Sequence, residues 1–151
     1  MSHPNSPATT GPVAYFTADH LACDADWAAL EQAEAKGPEA LAAAWATFEP
    51  AMRRHFAMEE DVLFPAFESA TGMTGGPTAV MRHEHQQMRG LLDQMATAAR
   101  EGRWTEVIDH GDTLLMLVQQ HNRKEEGMLY PMCQAHLAHA WPSLAEQLAR
   151  Y

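Results

Sequence analysis

His55-Phe56-Ala57-Met58-Glu59-Glu60-Asp61-Val62-Leu63-Phe64-Pro65 is the stretch that decides how this chain is read. It returns 66 positions later as His121-Asn122-Arg123-Lys124-Glu125-Glu126-Gly127-Met128-Leu129-Tyr130-Pro131. Both copies hold His, Glu, Glu, Leu and Pro at matching offsets, with Phe64 exchanged for Tyr130. On a helix, residues four apart share a face. His55 therefore points with Glu59, and His121 with Glu125. Glu60 and Glu126, one step further round, turn toward the flank and are expected at the surface or behind the site.

The repeat extends outward. Asp19-His20 precedes the first copy and Glu84-His85 the second, at separations of 35 and 36 residues between the histidines. The chain is thus two copies of one helical hairpin. Apolar residues mark the helices by their spacing. Phe16, Cys23, Trp27 and Leu30 predict a helix over 14–36, ended by Gly37-Pro38. Leu41, Trp45, Phe48 and Met52 lead into His55 and Glu59 on a second, long helix, which Pro50 and Pro65 should kink or end. A glycine-rich loop over 71–77 precedes a third helix over 78–101, with Met81, His85, Met88, Leu92 and Met95 on one face. The fourth, over 104–132, carries Val107, His110, Leu114, His121, Glu125 and Met128 inward. A short extra helix is expected over 143–149. The fold class is all-α: an up-down-up-down four-helix bundle with a short extra C-terminal helix. Residues 1–13 form a flexible arm and 14–151 the bundle.

Each His-Glu pair lies in line with the apolar stripe of its helix, so both carboxylates face the core. That is costly unless their charge is compensated. His20 and His85 lie at the same depth, at about 1.5 Å of rise per residue. A buried His–Glu hydrogen bond would explain either pair alone, but not a repeat at matched depth. His20, His55, Glu59, His85, His121 and Glu125 together make a ligand set for two metal ions. Glu59 and Glu125 can bridge the ions and the imidazoles fill terminal positions. Nitrogen and oxygen donors without thiolate favour iron, manganese or zinc. Open positions should remain for a bridging oxygen and a small ligand.

Composition narrows the function. The 151 residues carry a formal net charge of −10, which argues against nucleic-acid binding or a polybasic membrane contact. Only two cysteines are present, Cys23 and Cys133. No apolar run approaches the ~18 residues of a membrane span. The expected setting is the cytoplasm. Cys23 reads as a small buried residue near His20, Asp24 as a weak candidate beside it, and His110 as a core histidine or a lining group. The methionines at 52, 81, 88, 95, 116 and 128 read as core filler.

From about residue 15 to 132, these motifs resemble the hemerythrin-like (HHE cation-binding) domain. The resemblance is closest to the branch with His, His-x-x-x-Glu, His, His-x-x-x-Glu, similar to iron–sulfur-cluster repair and nitric-oxide-response proteins. It implies a four-helix bundle around two non-haem iron ions, oxo- or hydroxo-bridged, held by His20, His55, Glu59, His85, His121 and Glu125. The implied function is binding or sensing oxygen, nitric oxide or peroxide in redox or nitrosative stress, with a binder favoured over a turnover enzyme. The alternatives are cluster repair, peroxide or nitric-oxide reduction, and iron storage. Oxygen carriers of the family have His-x-x-x-His on the third helix, where this chain has Arg89, and an aspartate where it has Glu125. The repair proteins have an N-terminal cysteine-bearing domain where this chain has a short Pro/Ser arm. The sequence names no protein partner and leaves monomer and dimer open.

Overall fold

The computed structural model describes residues 11–151, which contain helices and turns and no strand. The arm expected over 1–13 lies outside the described residues as far as residue 10. Helix α1 spans Pro12–Ala33 and runs through a 3-10 turn to Lys36. It is followed by α2 (Pro38–Met58), α3 (Phe64–Thr71), α4 (Pro77–Arg100), α5 (Trp104–Lys124), α6 (Tyr130–His136) and α7 (Trp141–Leu148). Helices α1, α2, α4 and α7 carry proline in the first turn, where a missing N–H costs nothing. Gly72 ends α3 at φ 74°, a left-handed position that a side chain would strain.

Two wide turns join these pieces at equivalent places. Glu59–Leu63 connects α2 to α3 and Glu125–Leu129 connects α5 to α6, both as π-helix. Phe64 N–H bonds back to the Glu59 carbonyl, and Tyr130 N–H to that of Glu125, five residues earlier. The cause lies one residue on. Pro65 and Pro131 have no N–H, and their rings crowd the carbonyl four residues back, so the helix widens rather than continuing. Pro50, by contrast, lies within α2 without ending it.

The inserted residue rotates everything after it by about 100°. Met128, expected inward by unbroken periodicity, is 49% exposed, and Leu129 takes its place at 0%. In the first copy Phe67 is buried, whereas unbroken periodicity from Glu59 would bring Ala66, seven residues on, to the inner face. Met116 is also no core residue, being 57% exposed. It lies two residues from both Leu114 and Val118, which take the inner face.

Helix α1 packs along α2, and α4 along α5, with α1 also against α6 and α2 against α4. The apolar interior is in two parts. One gathers Trp27, Leu30, Trp45, Phe48, Leu92 and Leu114. The other gathers Phe16, Leu63, Phe64, Phe67, Leu129 and Trp141, the last from α7. On α1, α4 and α5 the buried histidines fall between the two parts in sequence, and on α2 His55 and Glu59 flank Phe56 and Met58, one from each part. Among the described residues, no helix is long and apolar enough to cross a membrane.

Candidate metal centre

Helix α1 supplies His20, α2 His55, α4 His85 and α5 His121. Glu59 and Glu125 each open a π turn. None of the six is more than 4% exposed. They fall into two overlapping groups whose donor atoms lie within 4.8 Å of one another: His20, His55, Glu59 and Glu125, then Glu59, His85, His121 and Glu125. Both carboxylates belong to both groups. Glu125 Oε1 stands 3.1 Å from His20 Nε2 and 3.1 Å from His121 Nε2. Glu59 Oε1 stands 3.3 Å from His55 Nε2 and 3.1 Å from His85 Nε2.

Each imidazole is held from behind. His55 Nδ1 donates to Asp19 (2.7 Å), His20 to Glu126 (2.7 Å), His85 to Glu60 (2.7 Å) and His121 to Glu84 (2.9 Å). An ionised carboxylate only accepts, so the hydrogen sits on Nδ1 and a neutral ring turns an Nε2 lone pair inward. Every acid-bearing pair in the repeat is thus divided. One residue of Asp19-His20, Glu84-His85, Glu59-Glu60 and Glu125-Glu126 enters the cluster, and its neighbour steadies a histidine of another helix. Glu60 and Glu126 therefore have a role behind the site, the second of the two places expected for them. Asp19 and Glu84 were overlooked in the sequence, although the repeated acid-His dipeptide was their signal. Arg54 pairs with Asp19 at 3.2 Å, Arg89 with Glu60 at 3.0 Å, and Lys124 with Glu84. Arg89, four residues after His85, thus serves the outer ring.

Tyr130 was the other omission. Its hydroxyl reaches into the cluster, 2.7 Å from Glu59 Oε2, 2.9 Å from Glu125 Oε1 and 3.0 Å from His20 Nε2. The Phe64-to-Tyr130 exchange between the two copies was the available sign.

The buried carboxylates favour positive charge in the cluster. Burial opposes charge on His55, yet Glu59, the Asp19 hydrogen bond and Glu125 raise its pKa to about 10. Burial likewise opposes charge on His85, and its contacts with Glu59 and Glu60 raise it nonetheless. Burial works against an ionised Glu59, but the charge of His55 and contacts with Glu125, His55 and His85 hold it well below the ordinary carboxylate range. Burial and the charges of Glu125 and Glu59 push the Tyr130 hydroxyl well up. Glu59 Oε1, Glu125 Oε2 and His55 Nε2 are buried without a hydrogen-bond partner. His85 Nε2 and His121 Nε2 face each other at 3.2 Å. Buried polar atoms that converge in this way are costly in a protein interior, and a metal ion in place of the proton drawn onto His55 would satisfy them. The donor set fits a metal.

Beside the cluster is a small apolar cavity with room for about one water-sized molecule. His20, His55 and His121 meet Cys23, Met52, Met88 and Val118 there. Cys23 is buried, and burial with the charges of Asp19, Asp26 and Asp24 raises its thiol to about 12. Cys133 is buried on the other side, its thiol raised to about 12 by burial, Glu59 and Glu125. Asp24 is exposed and stands outside the donor groups. His110 is half-buried and Gly111 takes the inner position beside it.

A helical protein with buried, paired His-Glu sites able to hold metal is the class that this geometry defines. Residues 11–133 match the family model for the hemerythrin HHE cation binding domain, and the chain belongs to that family. Comparisons with curated proteins and with solved structures return no match.

Proposed function

We propose that this chain is a non-haem di-iron protein that binds or senses oxygen, nitric oxide or peroxide in redox or nitrosative stress. His20 and His55 would hold one ion and His85 and His121 the other, with Glu59 and Glu125 shared. The observation that carries this reading is the pair of overlapping buried donor groups with both carboxylates in common. The apolar cavity against three of the histidines supports a small, uncharged ligand. The reading calls for an up-down-up-down four-helix bundle, with α7 as an extra helix. The packing of α1 on α2 and of α4 on α5 supports it. It assigns the protein to the branch with one histidine on the third helix and to the cytoplasm, where two free buried thiols stay reduced.

Bound iron would supply redox chemistry and affinity for the small ligand. The chain supplies the rest: it fixes the imidazoles through four outer carboxylates, neutralises charge with two buried glutamates, and keeps bulk water out. The test is anaerobic Fe(II) loading, followed by absorption spectra on adding oxygen and then nitric oxide. Two irons per chain with a stoichiometric, reversible change on ligand addition is the expected result. Multiple turnovers of peroxide or nitric oxide would make it an enzyme. Loading well below two irons, or a strong preference for zinc, would sink the reading.

A further inference from the structure

The donor pattern of the repeat leaves the Tyr130 oxygen without an assignment. That oxygen is fully buried and has three neighbours, each a candidate metal donor: Glu59 Oε2, Glu125 Oε1 and His20 Nε2, at 2.7, 2.9 and 3.0 Å. A phenol has one hydrogen to give. Donated to Glu59 at the shortest contact, it leaves no second hydrogen for the Glu125 oxygen. His20, whose Nδ1 is engaged with Glu126, brings its Nε2 to within 3.1 Å of the same Glu125 oxygen. One phenol hydrogen cannot serve all three neighbours, and a positive centre among them would satisfy the rest. Around a six-coordinate ion with bonds of about 2.1 Å, adjacent donors stand about 3 Å apart. The three contacts of Oη match that spacing, as does the 3.1 Å between His20 Nε2 and Glu125 Oε1.

Resting on the dinuclear reading above, we propose that Tyr130 Oη is a further ligand of the metal position held by His20 and His55. The other position has no counterpart. At the place related by the repeat stands Phe64, stacked on His85 with ring centroids 5.6 Å apart and no donor atom. One exchange between copies thus makes the two metal positions unequal. The His85/His121 position is left with one more open place for a small ligand. On loading, the phenol O–H bond breaks, an oxygen–metal bond forms, and the proton leaves to solvent. No electron moves.

The test is resonance Raman spectroscopy of Fe(III)-loaded protein with visible excitation, alongside iron analysis of the same samples. Wild type is measured unlabelled and with ring-deuterated tyrosine, then Tyr130→Phe and Tyr15→Phe. The expected result is a phenolate-to-iron absorption band whose enhanced ring modes shift on deuteration, vanish in Tyr130→Phe and survive in Tyr15→Phe. The chain has three tyrosines. If Tyr130→Phe fails to fold, survival of the modes in both Tyr15→Phe and Tyr151→Phe assigns them to Tyr130. Full iron loading without tyrosine modes, or modes that persist in Tyr130→Phe, overturns the proposal and leaves the dinuclear reading standing. Wild type that takes up no iron overturns both.

Discussion

Asp19 Oδ2 lies 2.7 Å from His55 Nδ1, while the next residue in the chain, His20, reaches the same cluster from α1. One dipeptide therefore joins two helices to the site. Burial works against an ionised Asp19, but the His55 hydrogen bond and the charges of His55, Arg54 and His20 keep it below the ordinary range. Losing such an outer partner costs roughly 10–100-fold in metal affinity. Asp19→Asn should weaken iron binding by that factor while leaving helicity unchanged. Glu84→Gln, the equivalent change in the second copy, should do the same through His121. Chelator competition measures both. Affinity unchanged in the two variants would mean that the outer carboxylates do not tune the site.

Metal should also stabilise the fold, because the six donors converge only in the folded chain. A ligand at 100 times its dissociation constant adds about 2.7 kcal/mol. For a chain of this size, each kcal/mol is worth roughly 2–4 °C. Anaerobic Fe(II) should therefore raise Tm by roughly 5–10 °C, and a chelator should reverse the rise. The Glu59→Ala/Glu125→Ala double variant should show no response to iron. A melting curve that ignores iron in wild type would count against the site.

Much of this was legible in the sequence because the two hairpins are independent copies. His20, His55, Glu59, His85, His121 and Glu125 are drawn together by elementary helix geometry, and all of them are buried. What escaped is where that geometry changes. Straight periodicity places Met128 inside, but Pro131 forces the π turn that hides Leu129 instead. Pro65 does the same to Ala66 and Phe67. Reading Pro65 as a kink or an end caught that irregularity without its register, and Pro131 was passed over within an unbroken fourth helix. The outer ring escaped for another reason. Asp19 and Glu84 reach across to other helices, and spacing within one helix cannot show which neighbour a flank residue meets. Tyr130 stood in plain sight as a substitution of Phe64, but its register also depended on the turn.

Gly111 offers a test of packing against propensity. A Cβ there would stand 1.9 Å from Trp27 Cη2, a rigid ring that is itself packed on Phe48 at 5.3 Å between centroids. Replacing glycine by alanine within a helix ordinarily gains about 1 kcal/mol. Overpacking a filled core costs about 1–3 kcal/mol, and more when a ring must move. The second effect should win. Gly111→Ala is expected to lower Tm by several degrees. Gly90→Ala, on an exposed position of α4 with nothing within 4 Å, should raise it slightly. Equal shifts in the two variants would contradict the close contact.

Glu68 fastens α3 to α4 across the 72–76 loop. It accepts a hydrogen bond from Thr78 Oγ1 at 2.6 Å and one from Arg82 Nη2 at 3.1 Å, and Thr78 is fully buried. Burial raises the Glu68 pKa, but the bonds from Thr78 and Arg82 and the charge of Arg82 bring it below its ordinary value. A depressed folded-state pKa contributes stability above the unfolded value of about 4.3, and that contribution disappears as pH falls through the folded value. Glu68→Gln should therefore destabilise metal-free protein by about 1 kcal/mol at neutral pH. The gap from wild type should narrow as pH falls below about 4. Urea melts of both proteins at a series of pH values measure it. A gap that stays constant into acid would mean that the charge on Glu68 contributes nothing and that only its shape matters.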